Sequence, residues 1–216
     1  MLKIDFEKDL PDFRLRIDFE LHNQICVLWG HSGAGKTTAL ECLAGLRKPD
    51  QGEIVLHEQI LFSSTAGVNL PARLRHIGYL FQDHNLFPHL TVEQNIQYGI
   101  PKKVGNGPKS DPRQLMEQFG IEHLTGRYPH EISGGERQRA ALIRALVTEP
   151  RLLLLDEPFS SLDRKAHINL RNIIRYLHQQ WNIPVIIVSH DQEDAEVLGQ
   201  TVISLDRGAQ IASNWA

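Results

Sequence analysis

The segment that most constrains the fold of this chain is a glycine-rich stretch between an apolar run and a helical pattern. Residues 30–38 read Gly-His-Ser-Gly-Ala-Gly-Lys-Thr-Thr, which fits glycine, four residues and then Gly-Lys-Thr. The continuously apolar run 25–29 precedes it, and a helical pattern that ends near Gly45 follows it. A strand, a glycine-rich turn and a helix in this order are typical of a phosphate-binding loop at the edge of an α/β sheet.

The residue types of this loop suit a chain of bound phosphates. Glycines allow a backbone geometry that points successive N–H groups at an anion, and the helix that starts there adds its positive dipole end. Lys36 can reach the β- and γ-phosphates, and the hydroxyl of Thr37 can ligate Mg²⁺. For His31 we expect the backbone rather than the ring to matter. The predicted phosphate-binding residues are Gly30, His31, Ser32, Gly33, Ala34, Gly35, Lys36, Thr37 and Thr38.

Hydrophobic patterning predicts an α/β core around this loop. Residues 13–21 alternate apolar and charged side chains, which indicates a half-buried and antiparallel strand. The run 25–29 suits a parallel strand covered on both faces, and further strands are predicted at 77–81, 152–155, 185–188 and 202–205. Residues 85–149 show helix starts, such as Thr91, but no strand pattern. We therefore expect an α/β core of residues 1–84 and 152–216, with a helical insertion at residues 85–151.

Two adjacent carboxylates follow the run 152–155. Asp156 and Glu157 should lie at the carboxyl end of a strand, where open α/β sheets bind their ligands. Neighbouring side chains on an extended backbone point apart, so one acid can face a metal ion while the other faces water. We therefore assign Asp156 to Mg²⁺ and Glu157 to polarising a water that attacks the γ-phosphate.

A second glycine-containing helix start follows at residues 133–136. Ser133 and Glu136 have the spacing of a capping box, but Gly134 and Gly135 each cost about 1 kcal/mol relative to alanine in a first helical turn. This cost suggests that a ligand approaches the backbone closely, as a phosphate does at a helix N-terminus. Since one nucleotide would need the two phosphate sites on opposite sides, a head-to-tail pair of chains is expected. The arginines of the following helix are expected on a solvated or salt-bridged face; they are Arg137, Arg139 and Arg144. As an alternative, Arg137 could reach the nucleotide bound by the partner chain.

Six motifs in order give the chain a family resemblance. They are the loop at 30–38, Gln82, Ser133-Gly134-Gly135-Glu136, Leu155-Asp156-Glu157-Pro158, Ser160-Ser161-Leu162-Asp163 and His190. In this order and over nearly the whole chain, they resemble the ATP-binding cassette (ABC) ATPases. The resemblance implies a RecA-like P-loop NTPase core with an antiparallel β subdomain and an inserted helical subdomain. It also implies ATP and Mg²⁺ as ligands, and a homodimer that forms on ATP binding with two composite sites.

The resemblance also assigns roles to single residues. Gln82 resembles the glutamine that senses Mg²⁺ and contacts the membrane partner. His190 resembles the histidine that contacts the γ-phosphate, and Asp163 resembles the aspartate that couples the two sites. From the residues alone, Asp163 is also predicted to cap a helix. The chain departs from the family pattern at two places. Glu136 stands where glutamine is usual, and the aromatic residue that stacks on adenine is not obvious, since both Leu10 and Phe13 are candidates.

Composition excludes several other classes of protein. The 23 Lys and Arg residues against 26 Asp and Glu give a net charge of −3, which argues against nucleic acid as a partner. No apolar run approaches the ~20 residues of a membrane-spanning helix, and two cysteines are too few for a disulfide scaffold. We therefore expect a cytosolic chain. The resemblance to the ABC ATPases implies that it works at the cytoplasmic face of the cell membrane, as a peripheral subunit bound to integral-membrane permease subunits.

Within the ABC ATPases, residues 75–92 resemble those of importers, above all the ATPases that energise uptake of molybdate and related oxyanions. The expected function is therefore ATP hydrolysis coupled to such import, with a solute-binding protein as an indirect partner. An importer of sulfate or iron, and a small exporter or lipoprotein-release ATPase, remain as alternatives. No Asn-Lys-x-Asp guanine-reading motif is present, which favours ATP over GTP. The short segment after His190 is expected to leave no room for a C-terminal regulatory domain.

Overall fold

The computed structural model describes residues 1–83, 85–100, 111–160 and 162–211, and it consists of two sheets and six α-helices in these ranges. The strands are β1 (Leu2–Asp9), β2 (Arg14–Leu21), β3 (Ile25–Trp29), β4 (Gln51–Leu56), β5 (Gln59–Ser63), β6 (Val68–Asn69), β7 (Ile77–Leu80), β8 (Leu152–Asp156), β9 (Val185–Ser189), β10 (Thr201–Asp206) and β11 (Ala209–Ile211). The helices are α1 (Lys36–Ala44), α2 (Val92–Tyr98), α3 (Pro112–Gln118), α4 (Gly134–Leu146), α5 (Arg164–Trp181) and α6 (Gln192–Leu198).

The larger sheet has the strand order β11-β10-β3-β9-β8-β7, and its strands from β10 to β7 are parallel. All of the parallel strands predicted from apolar runs are present in it. Because parallel strands end at one edge, the loops after β3, β8 and β9 lie side by side. The glycine-rich loop, Asp156 and His190 are thereby brought to the same edge.

The central strands of this sheet contribute to two hydrophobic cores. Alternate residues of a strand point to opposite faces, so β3, β8 and β9 bury side chains on both sides. One face packs against α4, α5 and α6, and the other packs against α1 and the smaller sheet. Cys26 of β3 and Cys42 of α1 belong to the second core, where burial raises the pKa of both thiols.

The smaller sheet is antiparallel, with the order β2-β1-β4-β5-β6. The alternating segment at residues 13–21 forms β2 in this sheet, as predicted. Strands β4, β5 and β6 were not predicted from the sequence. Their apolar signal is short, because β4 begins with Gln51, Gly52 and Glu53, the apolar run of β5 covers only residues 60–62, and β6 has only two residues.

Helices α2, α3 and α4 lie between β7 and β8 in the chain. Thr91 and Ser133 form the capping boxes that start α2 and α4, as predicted from their spacing. Among the described residues of this stretch there is no strand. The exact division at residues 85–151 stays a prediction. In the part of the chain that the structure covers, no helix has the length and apolar character needed to cross a membrane.

A buried arginine, which the sequence did not reveal as structural, closes the carboxyl end of α1. Arg75 is fully buried, and its guanidinium donates to the carbonyl oxygens of Cys42 and Leu43 at 2.8 Å each. It also donates to the carbonyl of Leu70 at 2.7 Å and to the side chain of Asn69 at 2.9 Å. Arg75 thus joins the helix after the glycine-rich loop to the segment that follows β6.

Replacing Arg75 by Met should therefore lower the free energy of unfolding by about 3 kcal/mol, because several buried carbonyl groups lose their donor. Chemical denaturation monitored by circular dichroism measures this change. Arg73→Met is the matched control, since Arg73 is exposed in the same short turn and should cost no more than about 0.5 kcal/mol. Equal losses for the two variants would contradict the capping role of Arg75.

Candidate active site

Most residues of the glycine-rich loop, together with Gln82, Glu157 and His190, line an open cleft of about 650 Å³ at the carboxyl edge of the parallel sheet. This volume lies within the range of small-molecule sites. Its lining residues come from the β1–β2 turn, the glycine-rich loop, the segment after β7, and the ends of β8 and β9. They are Leu10, Pro11, Asp12, Phe13, His31, Ser32, Gly33, Gly35, Lys36, Thr37, Thr38, Gln82, Glu157 and His190.

The glycine-rich loop is folded around its own lysine. Lys36 Nζ donates to the carbonyl oxygens of Gly30 at 2.7 Å and of His31 at 2.9 Å. Gly35 has φ +100°, a left-handed conformation that favours glycine, and it sits directly before the first residue of α1. Burial lowers the pKa of Lys36, and the negative charges of Glu157 and Asp156 oppose that shift. A cation and a helix N-terminus therefore face the same space, as an anion site requires.

Asp156 lies at the end of β8 and is almost completely buried. Its Oδ1 accepts a hydrogen bond from the Thr37 hydroxyl at 3.1 Å, and its Oδ2 accepts one from the Tyr79 hydroxyl at 3.3 Å. Burial raises the pKa of the Asp156 carboxyl, and these two hydrogen bonds oppose part of the rise. The sequence reasoning gave Tyr79 no role. The role of Tyr79 could have been suspected from its phenol group in an otherwise apolar strand, because a buried hydroxyl needs a hydrogen-bond partner.

Glu157 and His190 face each other across the ends of β8 and β9. Glu157 Oε2 and His190 Nδ1 lie 3.5 Å apart, and the histidine side chain is 62% exposed while that of the glutamate is 19% exposed. Glu157 has φ +48°, a left-handed conformation that costs a non-glycine residue about 1 kcal/mol or more. The backbone N–H of Glu157 donates to the carbonyl of Val188 at 3.1 Å, which helps to hold this conformation.

The donor set around Thr37 fits a magnesium ion. The Thr37 hydroxyl and the Asp156 carboxylate are already within hydrogen-bond distance of each other, and the exposed amide of Gln82 lines the same cleft. Hydroxyl, carboxylate and amide oxygens are hard ligands of the kind that Mg²⁺ prefers. All three predicted metal-binding residues therefore offer suitable oxygen atoms: Thr37 and Gln82 line the cleft, and Asp156 is hydrogen-bonded to Thr37.

The segment 133–136 is not part of this cleft. Among the described residues that line it, none comes from Ser133, Gly134, Gly135 or Glu136. Ser133 accepts from the backbone N–H of Glu136 at 3.3 Å, while Glu136 accepts from the hydroxyl and backbone N–H of Ser133 at 2.7 Å each, and these two bonds lower the pKa of Glu136. Glutamate thus serves as the capping partner where the family has glutamine.

The two glycines of this segment differ in what surrounds them. A Cβ atom at Gly135 would lie 3.1 Å from Leu162 Cδ2, so packing within the chain favours glycine there. A Cβ atom at Gly134 would come no closer than 3.9 Å to any atom outside the adjoining backbone, the nearest being Arg137 Nη2. Packing within the described part of the chain therefore does not explain Gly134.

Three further sequence predictions can be compared with the structure. Asp163 is the N-cap of α5, accepting from the N–H of Ala166 at 2.9 Å, and it does not line the cleft. Leu10 and Phe13 both line it, so the residue that would face a base stays open between them. Arg144 is half-buried rather than fully solvated, because its guanidinium lies 5.4 Å from the ring centroid of Phe87 and donates to the carbonyl of Asn85 at 2.8 Å. Burial lowers the pKa of Arg144. The salt-bridged alternative stays a prediction.

Comparison with known proteins shows the family to which the chain belongs. Residues 15–160 match the sequence profile of the family described as ABC transporter. The chain is 43% identical over 209 residues to the molybdenum import ATP-binding protein ModC of Pectobacterium atrosepticum, which covers 96% of this chain and 58% of that protein. It is also 43% identical over 207 residues to the molybdate/tungstate import ATP-binding protein WtpC of Archaeoglobus fulgidus, which covers 96% of this chain and 84% of that protein. The chain thus spans little more than half the length of the ModC protein.

A solved structure shows the same fold. The ATP-binding cassette MJ0796, in a dimeric post-hydrolysis state bound to ADP and phosphate, superposes with a TM-score of 0.79 at 25% identity, covering 96% of this chain and 95% of that one. The profile match extends over more than half of the chain, and the relatives align along almost all of it. The chain therefore belongs to the ABC transporter family.

Proposed function

We propose that this chain is the ATP-hydrolysing, energy-coupling subunit of an importer of molybdate or a related oxyanion such as tungstate. The observation that carries the ATPase proposal is the cleft itself. It combines an anion-binding loop with a Glu157–His190 pair, and the Thr37 hydroxyl that lines it is hydrogen-bonded to the buried carboxylate of Asp156. The solute class is supported by the 43% identity to the molybdenum and molybdate/tungstate import proteins.

Binding of ATP would exchange the partners of the loop lysine. Lys36 Nζ donates to two carbonyl groups of its own loop. Oxygen atoms of the β- and γ-phosphates would replace these carbonyls as acceptors. Backbone N–H groups of residues 30–38 and the N-terminus of α1 would bind the remaining phosphate oxygens. Adenine would lie toward the β1–β2 turn, where Leu10 and Phe13 line the cleft.

Thr37, Asp156 and Gln82 would hold Mg²⁺, with Asp156 acting directly or through a water molecule. When bound, the ion would neutralise charge on the β- and γ-phosphate oxygens. The 3.1 Å contact between Thr37 and Asp156 already places these two donors side by side. Tyr79 would keep the carboxylate oriented by continuing to donate to its second oxygen.

Hydrolysis would use Glu157 and His190. Glu157 would accept a proton from the attacking water as the water oxygen bonds to the γ-phosphorus, while the bond from that phosphorus to the oxygen bridging it to ADP breaks and ADP leaves; this is general-base catalysis. His190 would donate a hydrogen bond to the γ-phosphate and keep Glu157 within reach through their 3.5 Å contact. ADP and phosphate would then leave the cleft.

The working site would be completed by a second copy of the chain. The segment Ser133-Gly134-Gly135-Glu136 lies outside the cleft of its own chain, and Gly134 leaves open space at its backbone. In a head-to-tail homodimer, this segment would bind the γ-phosphate held by the partner, so that both surfaces are used twice. Asp163, at the start of α5, would lie between the two sites and couple them.

We further propose that the chain binds permease subunits at the cytoplasmic face of the cell membrane. The segment 83–99, which includes α2 with its 69% exposed Tyr98, would receive a helix of the permease. A solute-binding protein would deliver the oxyanion to the permease on the other side. Reopening of the ATPase dimer after hydrolysis would reset the permease.

The solute is tested in proteoliposomes that contain the chain together with its permease and solute-binding protein. Molybdate or tungstate should raise the rate of ATP hydrolysis by about fivefold or more, because solute binding is coupled to closure of the dimer. Sulfate and Fe³⁺ serve as matched controls. Stimulation by sulfate or Fe³⁺ alone would refute the proposed solute, and absence of ATP hydrolysis under every condition would refute the proposed ATPase.

A further inference from the structure

A buried carboxylate that is not among the described residues lining the cleft connects segments that carry the functional groups of the cleft. Asp194 of α6 is fully buried. Its Oδ1 lies 2.6 Å from His167 Nε2 and accepts from Arg171 Nε at 2.7 Å, while its Oδ2 accepts from the Ser189 hydroxyl at 2.7 Å. Because a carboxylate paired with arginine only accepts, Nε2 of His167 carries the proton. Both oxygens of Asp194 are thus used, one by α5 and the other by the end of β9.

Ser189 links this carboxylate to His190. The backbone N–H of Asp191 donates to the Ser189 hydroxyl oxygen at 3.0 Å, and that hydroxyl donates in turn to Asp194. The residues on both sides of His190 are therefore held by one buried group. The backbone of His190 has little freedom to shift while these hydrogen bonds persist.

His167 links the same carboxylate to the segment that follows Glu157. Its ring stacks on the ring of Phe159, with centroids 4.5 Å apart and planes 12° apart. Phe159 is only two residues beyond Glu157. One carboxylate therefore reaches the loop after β8 through His167 and the loop after β9 through Ser189.

This cluster is better described as a positioning network than as a metal site. Ligand atoms of His167, Asp191 and Asp194 lie within 4.8 Å of one another, which by distance alone would suit a cation. However, the guanidinium of Arg171 already binds the Asp194 carboxylate through both Nε and Nη2, at 2.7 Å each. A metal ion would have to approach this fixed positive charge.

We propose that Asp194 is a positioning residue that sets the distance between His190 and Glu157, acting through Ser189 and His167. The inference rests on the proposed ATPase function, in which these two side chains act on the γ-phosphate and the water. Catalysis requires that His190 and Glu157 are held at the correct distance from each other, whereas ATP binding at the glycine-rich loop does not. Loss of either connection should therefore lower kcat and leave the KM for ATP nearly unchanged.

The test uses the two connections rather than Asp194 itself, because removing that carboxylate would leave the buried Arg171 unpaired and destabilise the fold. Ser189→Ala deletes only the hydroxyl link, and His167→Phe keeps a ring against Phe159 but loses the hydrogen bond. In the same proteoliposomes, each variant should reduce kcat by about 10- to 100-fold with KM for ATP within about twofold, as expected of misplaced catalytic groups.

Arg175→Met is the matched control. Arg175 Nη2 donates to the carbonyl of Val197 at 2.7 Å, so it also joins α5 to α6, but it is not bonded to the Asp194 cluster. We expect it to retain the wild-type kcat. If Ser189→Ala and His167→Phe lower kcat no more than Arg175→Met, or if they raise KM instead, the positioning role is overturned. A wild-type complex without ATP hydrolysis would overturn the proposed function, and this inference with it.

Discussion

Replacing Glu157 by Gln should reduce ATP hydrolysis by about 1,000-fold while leaving ATP binding intact. Glutamine has nearly the same size, so the left-handed backbone and the contact to His190 can persist, but an amide cannot take a proton from water. Since the unhydrolysed ATP stays between the two chains, the variant should also accumulate as a dimer. Phosphate release measures the first effect, and small-angle scattering with saturating ATP and Mg²⁺ measures the second.

Glu58→Gln is the control for this variant. It makes the same chemical change at an exposed turn between β4 and β5, where we expect neither effect. A Glu157→Gln protein that keeps more than about a tenth of the wild-type rate would contradict the general-base role. A Glu157→Gln variant that stays monomeric with saturating ATP and Mg²⁺ would contradict the proposal that ATP is bound between two chains.

Lys36→Met and Gly134→Asp should each be inactive alone, yet regain activity when mixed. The first variant loses the charged donor to the phosphates, and we expect its ATP affinity to fall by about 100-fold. The second places a carboxylate where the partner's γ-phosphate would bind. Its fold should tolerate the change, because in the described ranges the nearest atom to a Cβ at Gly134, apart from the adjoining backbone, is Arg137 Nη2 at 3.9 Å, and an acid suits the N-terminus of α4.

The mixing experiment distinguishes an active site shared between two chains from an active site that is complete within one chain. Half of the dimers in an equal mixture contain one chain of each kind, and each of these has one intact loop facing one intact segment 133–136. The rate should therefore recover to about a quarter of wild type if single sites can act. ATP-dependent capture of one tagged variant by the other gives a second readout. If the mixture shows neither ATP hydrolysis nor ATP-dependent capture, the proposal that each chain completes the active site of the other is wrong.

The parts of the site that could be predicted from the sequence are those encoded by neighbouring residues. The loop at 30–38, the pair after β8 and the capping box at Ser133 are local patterns, and the structure shows the geometry that each pattern requires. His190 was also found, because it follows an apolar run and parallel strands end at one edge. Their chemical roles remain to be tested by the experiments above.

The supporting side chains could not be predicted, because they depend on contacts between distant segments. Arg75 meets Cys42 across 33 positions, and His167 meets Asp194 across 27. Neither spacing corresponds to a helical or strand period, so no local pattern reports the contact. The contact of Arg144 with Phe87 was missed for the same reason, since that aromatic ring comes from the segment after β7.

The placement of the two cysteines would allow the proposed opening and closing of the dimer to be measured. Both Cys26 and Cys42 are buried, and burial keeps their thiols protonated and poorly reactive. A single cysteine introduced on the exposed surface should therefore accept a spin label or fluorophore without first removing native thiols. Label-to-label distances between two subunits could then follow opening and closing during turnover.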